Sequence, residues 1–351
     1  MDKPRYFVGI DVASATFTSA VGKMSEKWQI VVRPAQFAND YDSFPKYLSW
    51  LQAHEVKPDN SVICMEATGV YNETLAHFLV ANQYTVAIEP PLKVKRAFHP
   101  EGHKSDPVDS CQISEYAYRF WDQLSAWAPR HELLEQIKTL LTTREQFVVE
   151  KAGHQNSLTA LKRKAIHTPL AEQIHEKAIS ELKGHIHQLE EEIRRLIEQD
   201  PDYRDTVALL ISIPGVGLLL AAHMLVAIQS APLPLSPKFL AAFIGICPYD
   251  DSSGTSLRHT PTSRHYGPPG LRKLLFLAAL SICVHHPQFR TYFLRKVQEG
   301  KPKRLVINNI ANKLLKVMVA VVRTKTVFIE NYRSVNPGLL KIALTKSWHS
   351  Q

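Results

Sequence analysis

Residues 131–200 constrain the fold most, because they form a long, polar tract with helical periodicity between two stretches of different character. In its second half Ile179, Leu182, Ile186, Leu189, Ile193 and Leu196 recur at spacings of three and four. That is a heptad seam, with Glu190, Glu191, Glu192, Arg194 and Arg195 on the solvated positions. A weaker seam runs through Leu134, Ile137 and Leu141, and Pro169 separates the two. The pattern predicts two helical arms that pair within the chain or across protomers of a homo-oligomer, a dimer or a tetramer.

On one side of this tract, residues 1–125 alternate between strand and helix patterns. Tyr6–Ile10, Thr16–Val21, Trp28–Val32, Ser61–Met65 and Tyr84–Ile88 read as strands; Tyr41–Leu51, Asn72–Val80 and Asp106–Phe120 read as helices. Such alternation implies a mixed α/β sheet. On the other side, residues 203–335 are more apolar and mainly helical, with a loop-rich segment from Cys247 to Pro269. Residues 336–351 are a tail, and residues 126–202 hold the connecting arm.

Composition narrows the class. With 45% hydrophobic and 21% charged residues, the chain has the make-up of a globular protein. Its net charge of +9 favours polyanionic partners. Cys64, Cys111, Cys247 and Cys283 are far apart and form no Cys-x-x-Cys, as expected of reduced cysteines in a cytosolic protein. The N-terminus has no signal-peptide pattern, and the bacterial cytoplasm is the expected compartment. Val207–Ile228 lacks charge and is long enough for a bilayer, but Pro214-Gly215-Val216-Gly217 should break it into two short helices.

The residues that carry chemistry are acidic. Asp11 ends the first strand and Glu66 ends another; Asp106 and Asp109 share one face at the start of a helix. Carboxylates at neighbouring strand ends and on a nearby helix can converge on one point. Unneutralised they would repel, and divalent Mg²⁺ or Mn²⁺ would both relieve that and assist phosphoryl transfer. A strand-end Asp also occurs in actin-like kinases, and Asp-x-x-Asp is often a solvated helix start. The order of the four, with the basic run Lys93, Lys95, Arg96 and Lys104 before the pair, is more specific.

Three motifs, Gly9-Ile-Asp-Val-Ala13, Met65-Glu-Ala-Thr-Gly-Val-Tyr71 and Lys104-Ser-Asp-Pro-Val-Asp109, resemble the DEDD transposases of bacterial insertion sequences, a family that includes the Piv DNA invertases. Ile213-Pro-Gly-Val-Gly217, Phe243-Ile-Gly-Ile-Cys-Pro248, Ser252-Ser-Gly254 and Gly267-Pro-Pro-Gly-Leu-Arg272 extend the resemblance to residues 5–325. It implies a RuvC-like N-terminal domain with an RNase H-like sheet, a coiled coil, and a C-terminal transposase domain. Carried over by motif, Asp11, Glu66, Asp106 and Asp109 are the catalytic metal quartet, and Ser253 is the nucleophile that makes a phosphoserine link to DNA. The adjacent Ser252 leaves that last assignment open. Lys-Ser-Asp stands where the family commonly has Lys-Thr-Asp, and His265-Tyr266 precede Gly267 where a basic residue is common.

The resemblance also implies a bridge-type non-coding RNA that pairs with donor and target DNA. Gly215 and Gly217 fit the hairpin of a helix-hairpin-helix element, which offers backbone N–H groups to a phosphate. Lys104, Arg258, Arg264, Arg272 and Lys273 are the further expected nucleic-acid contacts, with Lys301, Lys303 and Arg304 as a separate basic patch. Two other readings remain at this level: a RuvC-like nuclease that only hydrolyses, and a non-catalytic nucleic-acid-binding assembly protein.

Overall fold

The computed structural model describes residues 4–24, 28–67, 69–98, 105–129, 131–231, 234–253, 257–263 and 267–330. Lys104 and Arg264 lie outside the described residues. The chain divides into two compact units, Met1–Arg130 and His131–Gln351.

The first unit runs β1 (Tyr6–Val12), β2 (Thr16–Met24), β3 (Trp28–Ala38), α1 (Phe44–Ala53), β4 (Ser61–Glu66), α2 (Glu73–Ala81), β5 (Thr85–Glu89), α3 (Pro91–Lys95) and α4 (Asp106–Arg119). Its five strands lie in the order β3-β2-β1-β4-β5. β1, β2 and β3 pair antiparallel, while β4 pairs parallel to β1 and β5 parallel to β4. The sheet is covered on both faces. Val8, Ile10, Ile63, Met65 and Val86 pack with Phe44, Tyr47, Leu51 and Leu75 from α1 and α2. Phe7, Val62 and Cys64 pack with Val94, Ile113, Tyr116 and Ala117 from α3 and α4. Burial on both faces explains why β1 and β4 read as continuous apolar runs rather than alternating ones.

β3 extends to Ala38, beyond the Trp28–Val32 run expected from apolar residues. It is an edge strand whose exposure alternates, and Pro34 falls where the β2–β3 register shifts. An edge accepts proline because one side of the strand lacks a ladder partner.

The second unit is helical apart from one hairpin. α5 (Glu132–Leu161) and α6 (Pro169–Gln199) are followed by α7 (Pro201–Ile211), α8 (Leu218–Gln229) and α9 (Pro237–Ile244). Then come β6 (Pro248–Ser253) and β7 (Leu257–Ser263), and finally α10 (Pro269–His285), α11 (Pro287–Gln298) and α12 (Lys303–Thr324). The two long helices pack antiparallel within the chain. Arg144 meets Glu190 at 2.6 Å, His154 Nδ1 meets His175 Nδ1 at 2.8 Å, and Lys162 meets Glu176 at 2.7 Å. At their base Leu134, Ile137, Leu141, Ile193 and Leu196 join the core formed by α7 to α12.

Proline sets many of the boundaries. It occupies the first turn of α1, α3, α4, α6, α7, α9, α10 and α11, where its missing N–H would have no partner anyway. Asp200 accepts hydrogen bonds from Asp202 N and Tyr203 N and so caps α7. Ser212–Gly217 interrupts the uncharged stretch between α7 and α8, as the Pro-Gly sequence requires. Among the described residues only α12 is long and apolar enough to cross a bilayer, and half of that stretch is buried in the second core.

Cys247–Pro269, read from sequence as loop-rich, is not mainly loop. It holds the antiparallel pair β6–β7, with Ser252 opposite Arg258 and Ser253 opposite Leu257. The polar strands Pro-Tyr-Asp-Asp-Ser-Ser and Leu-Arg-His-Thr-Pro-Thr-Ser carry no apolar alternation that would have announced them.

Candidate active site

The parallel pairing of β1 with β4 aligns Gly9 with Cys64 and Ile10 with Met65. The next step along both strands brings Asp11 and Glu66 to neighbouring C-terminal ends. Both point to the α4 side, because side chains alternate and Phe7, Val62 and Cys64 pack on that side.

α4 is laid antiparallel over β1. Ser114 Oγ donates to Phe7 O at 2.6 Å, and a Cβ on Gly9 would overlap the backbone of Ser110 and Ser114. Moving from Ser114 to Asp106 climbs about 12 Å of helix, and moving from Phe7 to Asp11 climbs about 13 Å of strand. The start of α4, with Asp106 and Asp109 in its first turn, therefore sits at the level of Asp11. Asp106 is exposed, whereas Asp11, Glu66 and Asp109 are half-buried. The partial positive charge of the helix N-terminus favours both aspartates.

The strand ends are tied to one another. Asn39 Nδ2 donates to Ala13 O at 3.0 Å and to Tyr71 O at 2.9 Å, linking the segments that follow β1 and β4. Buried Asn72 donates to Glu66 O at 3.1 Å, and Ala67 N donates to Glu89 O at 2.9 Å. Sequence reasoning passed over Asn39, Asn72 and Glu89. Glu89 ends β5 opposite Glu66, is buried, and pairs with Lys93 at 2.8 Å. Lys93 also hydrogen-bonds Tyr116 of α4. Burial, followed by the charges of Glu89 and Glu66, pushes the Cys64 thiol well above its ordinary pKa. The β4–β5 register places Glu66 and Glu89 side by side, two residues beyond Cys64. All four cysteines are free thiols.

The donor set fits a hard divalent cation: Asp11, Glu66, Asp106 and Asp109 offer only carboxylate oxygens. Among the described residues, no three His, Cys, Asp or Glu side chains are gathered closely enough to form a finished metal cage.

In the second unit Ser253 closes β6, with Ser252 one residue before it. The base of the hairpin is fastened from several sides. Asn308 and Asn312 of α12 both donate to Ile246 O, at 3.1 and 3.2 Å. Arg272 Nη1 donates to Ile244 O at 3.1 Å, so at least one donor of this expected nucleic-acid contact serves the end of α9. Gly267 lies where a Cβ would strike the Phe243 carbonyl, and Gly270 where it would strike the Glu145 carboxylate. These approaches give the Gly-Pro-Pro-Gly run a packing reason. Lys273 is exposed on α10, and Arg258 lies on β7.

The two hairpin glycines between α7 and α8 differ. Gly215 has φ of 80°, and a Cβ there would come within 2.5 Å of Ile282 Cγ2. Gly217 is the N-cap of α8 with open space around it. Both line a shallow groove with Glu190, Arg194, Leu274 and Ser281. Gly215 is thus demanded by packing and conformation, and Gly217 is the one with room for a ligand.

Strand-end carboxylates beside a helix start, together with a separate helical unit, accord with the class that the comparisons show: a DNA recombinase or transposase. The transposase model named for the DEDD motif and IS110 matches residues 8–166, and the transposase model of the IS116/IS110/IS902 family matches residues 207–294. Together they span more than half of the chain, which belongs to this family of transposases. The chain is 28% identical to the pilin gene-inverting protein of Moraxella bovis over 328 residues, covering 92% of this chain and 97% of that protein. The Moraxella lacunata pilin gene-inverting protein matches equally, at 28% over 328 residues and the same shares of the two chains. A 43.6 kDa protein of insertion element IS110 from Streptomyces coelicolor is 31% identical over 142 residues, 40% of this chain and 33% of that one.

Proposed function

We propose that this enzyme cuts and rejoins DNA through a phosphoserine intermediate on Ser253, with Asp11, Glu66, Asp106 and Asp109 holding Mg²⁺ or Mn²⁺. The observation that carries the reading is the placement of the α4 start beside the ends of β1 and β4. The strand order β3-β2-β1-β4-β5, antiparallel then parallel, supports an RNase H-like, RuvC-type sheet. The antiparallel α5–α6 pair supports a coiled-coil arm, and the α7–α8 junction supports a helix-hairpin-helix-like element.

In the reaction, Ser253 Oγ bonds to phosphorus, one phosphorus–oxygen bond of the DNA breaks, and the leaving oxygen takes a proton. Attack by a DNA hydroxyl then reverses the step, so bond energy is kept for rejoining. Bound divalent ions would polarise the phosphate and assist loss of the serine proton. The chain's own carboxylates orient those ions and hold the scissile phosphate's surroundings rigid. A bridge-type RNA would supply sequence choice, with Gly217, Lys104, Arg258, Arg264, Arg272 and Lys273 contacting nucleic acid. Assembly as a dimer or tetramer would use the α5–α6 arm.

The near full-length likeness to pilin gene-inverting proteins favours one variant of this reading: inversion of a DNA segment rather than insertion. Strand exchange by the wild type, Asp11→Ala and Ser253→Ala tests the proposal. Both variants are expected to lose recombination and the covalent protein–DNA adduct, Asp11→Ala through loss of bound metal and Ser253→Ala through loss of the attacking oxygen. Full activity in either variant overturns the proposal. Free ends with no adduct in the wild type would instead establish a hydrolytic nuclease.

A further inference from the structure

The positive charge of the chain is not spread evenly. Residues 287–330 hold ten lysines and arginines against two glutamates, and so carry +8 of the net +9. These residues form α11, α12 and their flanks, mostly beyond the last residue matched by the transposase models.

Five of these ten cations fall into two sets. On α11, Arg295 and Lys296 are drawn to Glu299, with Lys296 Nζ at 2.6 Å and Arg295 Nε at 3.8 Å. On α12, Lys313, Lys316 and Arg323 have no carboxylate partner among the described residues. They lie on one solvent-exposed stripe at spacings of three and seven, opposite the buried Ile310, Leu314, Leu315 and Met318. Lys313 Nζ instead stands 3.6 Å from the ring centre of Tyr292, which Arg295 also approaches at 5.6 Å. One aromatic ring thus holds two cations in place. Burial and the charges of Arg295, Lys296 and Lys316 hold the Lys313 ammonium below its usual pKa. Such a field lacks an anion.

We propose that the Lys313–Lys316–Arg323 stripe of α12, flanked by Tyr292 and Arg295, is a docking surface for the phosphate backbone of duplex DNA. The stripe extends about 15 Å along the helix, enough to reach phosphates on both sides of a groove about 12 Å wide. DNA is the partner because the enzyme class acts on it. The inference rests on that reading and adds where the duplex lies. It does not involve the carboxylates or Ser253.

The test uses the full chain and a mixed-sequence DNA duplex, titrated between about 50 and 200 mM salt. The variant is Lys313→Gln/Lys316→Gln/Arg323→Gln; Lys177→Gln/Lys183→Gln on α6 is the control, and Lys313→Arg keeps the charge. Losing three phosphate contacts should make the slope of log affinity against log salt shallower by about 2.7, with binding at least roughly tenfold weaker at the lower salt. The control and Lys313→Arg should bind as wild type, and circular dichroism should show the triple variant folded. An unchanged slope on DNA, or a loss confined to single-stranded RNA of equal length, overturns the docking surface. Failure of the wild type itself to bind duplex would instead sink the reading on which the surface rests. If the triple variant does not fold, Lys316→Gln/Arg323→Gln is used, with an expected slope change of about 1.8; no change there overturns the proposal equally.

Discussion

Gly9→Ala is the most direct probe of how the carboxylates are assembled. The added methyl would overlap Ser110 O and Ser114 N by more than about 1 Å relative to ordinary contact, and both are backbone atoms that cannot swing aside. Either α4 lifts off β1 or β1 bends away. Overpacking of this kind costs about 1–3 kcal/mol. Lifting α4 also strains the buried Ser114 Oγ–Phe7 O hydrogen bond of 2.6 Å, whose loss leaves the buried Ser114 hydroxyl unpaired at about 1–3 kcal/mol. A total of about 2–6 kcal/mol is expected, with the first unit losing roughly 2–8 °C of melting temperature for each kcal/mol. Tryptophan fluorescence reports mainly on that unit, since four of the five tryptophans, Trp28, Trp50, Trp121 and Trp127, belong to it and only Trp348 does not. Trp28 stacks on Tyr118 of α4 with ring centres 4.7 Å apart, so it reports on the helix that must move. Asp106 and Asp109 ride on the same helix. A displacement of about 1 Å should lower strand cleavage by roughly a hundredfold, even where the variant stays folded. A variant with wild-type melting and wild-type cleavage would mean that α4 does not rest on Gly9, and the assembly of the site would have to be argued afresh.

Three further outcomes follow from the geometry. Gly215→Ala should destabilise the second unit by about 2–4 kcal/mol through its positive φ and the Ile282 contact, whereas Gly217→Ala should cost under about 1 kcal/mol and show its effect in DNA affinity; denaturant unfolding and duplex binding separate the two, and equal stability losses would contradict the assignment. Gly153 and Gly184 lie inside α5 and α6 with nothing near their Cβ positions, so alanine at either should raise stability by about 0.5–1 kcal/mol, and a measured loss would show that the arm is packed differently. Burial, then the charge of Arg144, lowers the His223 pKa to about 4, so the unfolded chain takes up the proton first as pH falls. The stability from neutral His223 is complete above about pH 6.5 and is lost progressively toward pH 4, by about 3 kcal/mol in all. The stability gap between wild type and His223→Gln should close over that range; a gap that stays constant would show that His223 titrates normally.

What could be read from the residues depended on whether local pattern and tertiary role coincide. Asp11 and Glu66 end buried apolar strands, so the signal for the strand and the place of the carboxylate arrive together. The α5–α6 pair was equally open, because its heptad spacing serves its own packing. Glu89 escaped notice because Glu-Pro-Pro reads as the end of a strand, and only the parallel register with Glu66 gives the carboxylate its neighbours. The β6–β7 hairpin escaped for a different reason. Its strands carry no apolar alternation, and what secures their base is Ile246 O, gripped by Asn308 and Asn312 from more than sixty residues away. No local window contains that information.

The same contrast bears on Ser253. Nothing in Ser252-Ser253-Gly254 distinguishes a nucleophile from a turn serine, and its assignment came through resemblance alone. A nucleophile would need a fixed base, which a surface turn does not. The strand that ends in Ser253 rises from a base fixed by two asparagines, and the chain around it is held by Arg272 and by the close approach of Gly267 to Phe243. A serine that must meet a phosphorus atom within a few tenths of an ångström benefits from such a rigid base. Asn308→Ala/Asn312→Ala therefore separates the two roles: a nucleophile predicts that adduct formation falls far more than stability does, whereas a turn serine predicts a loss of stability with adduct formation untouched per folded molecule.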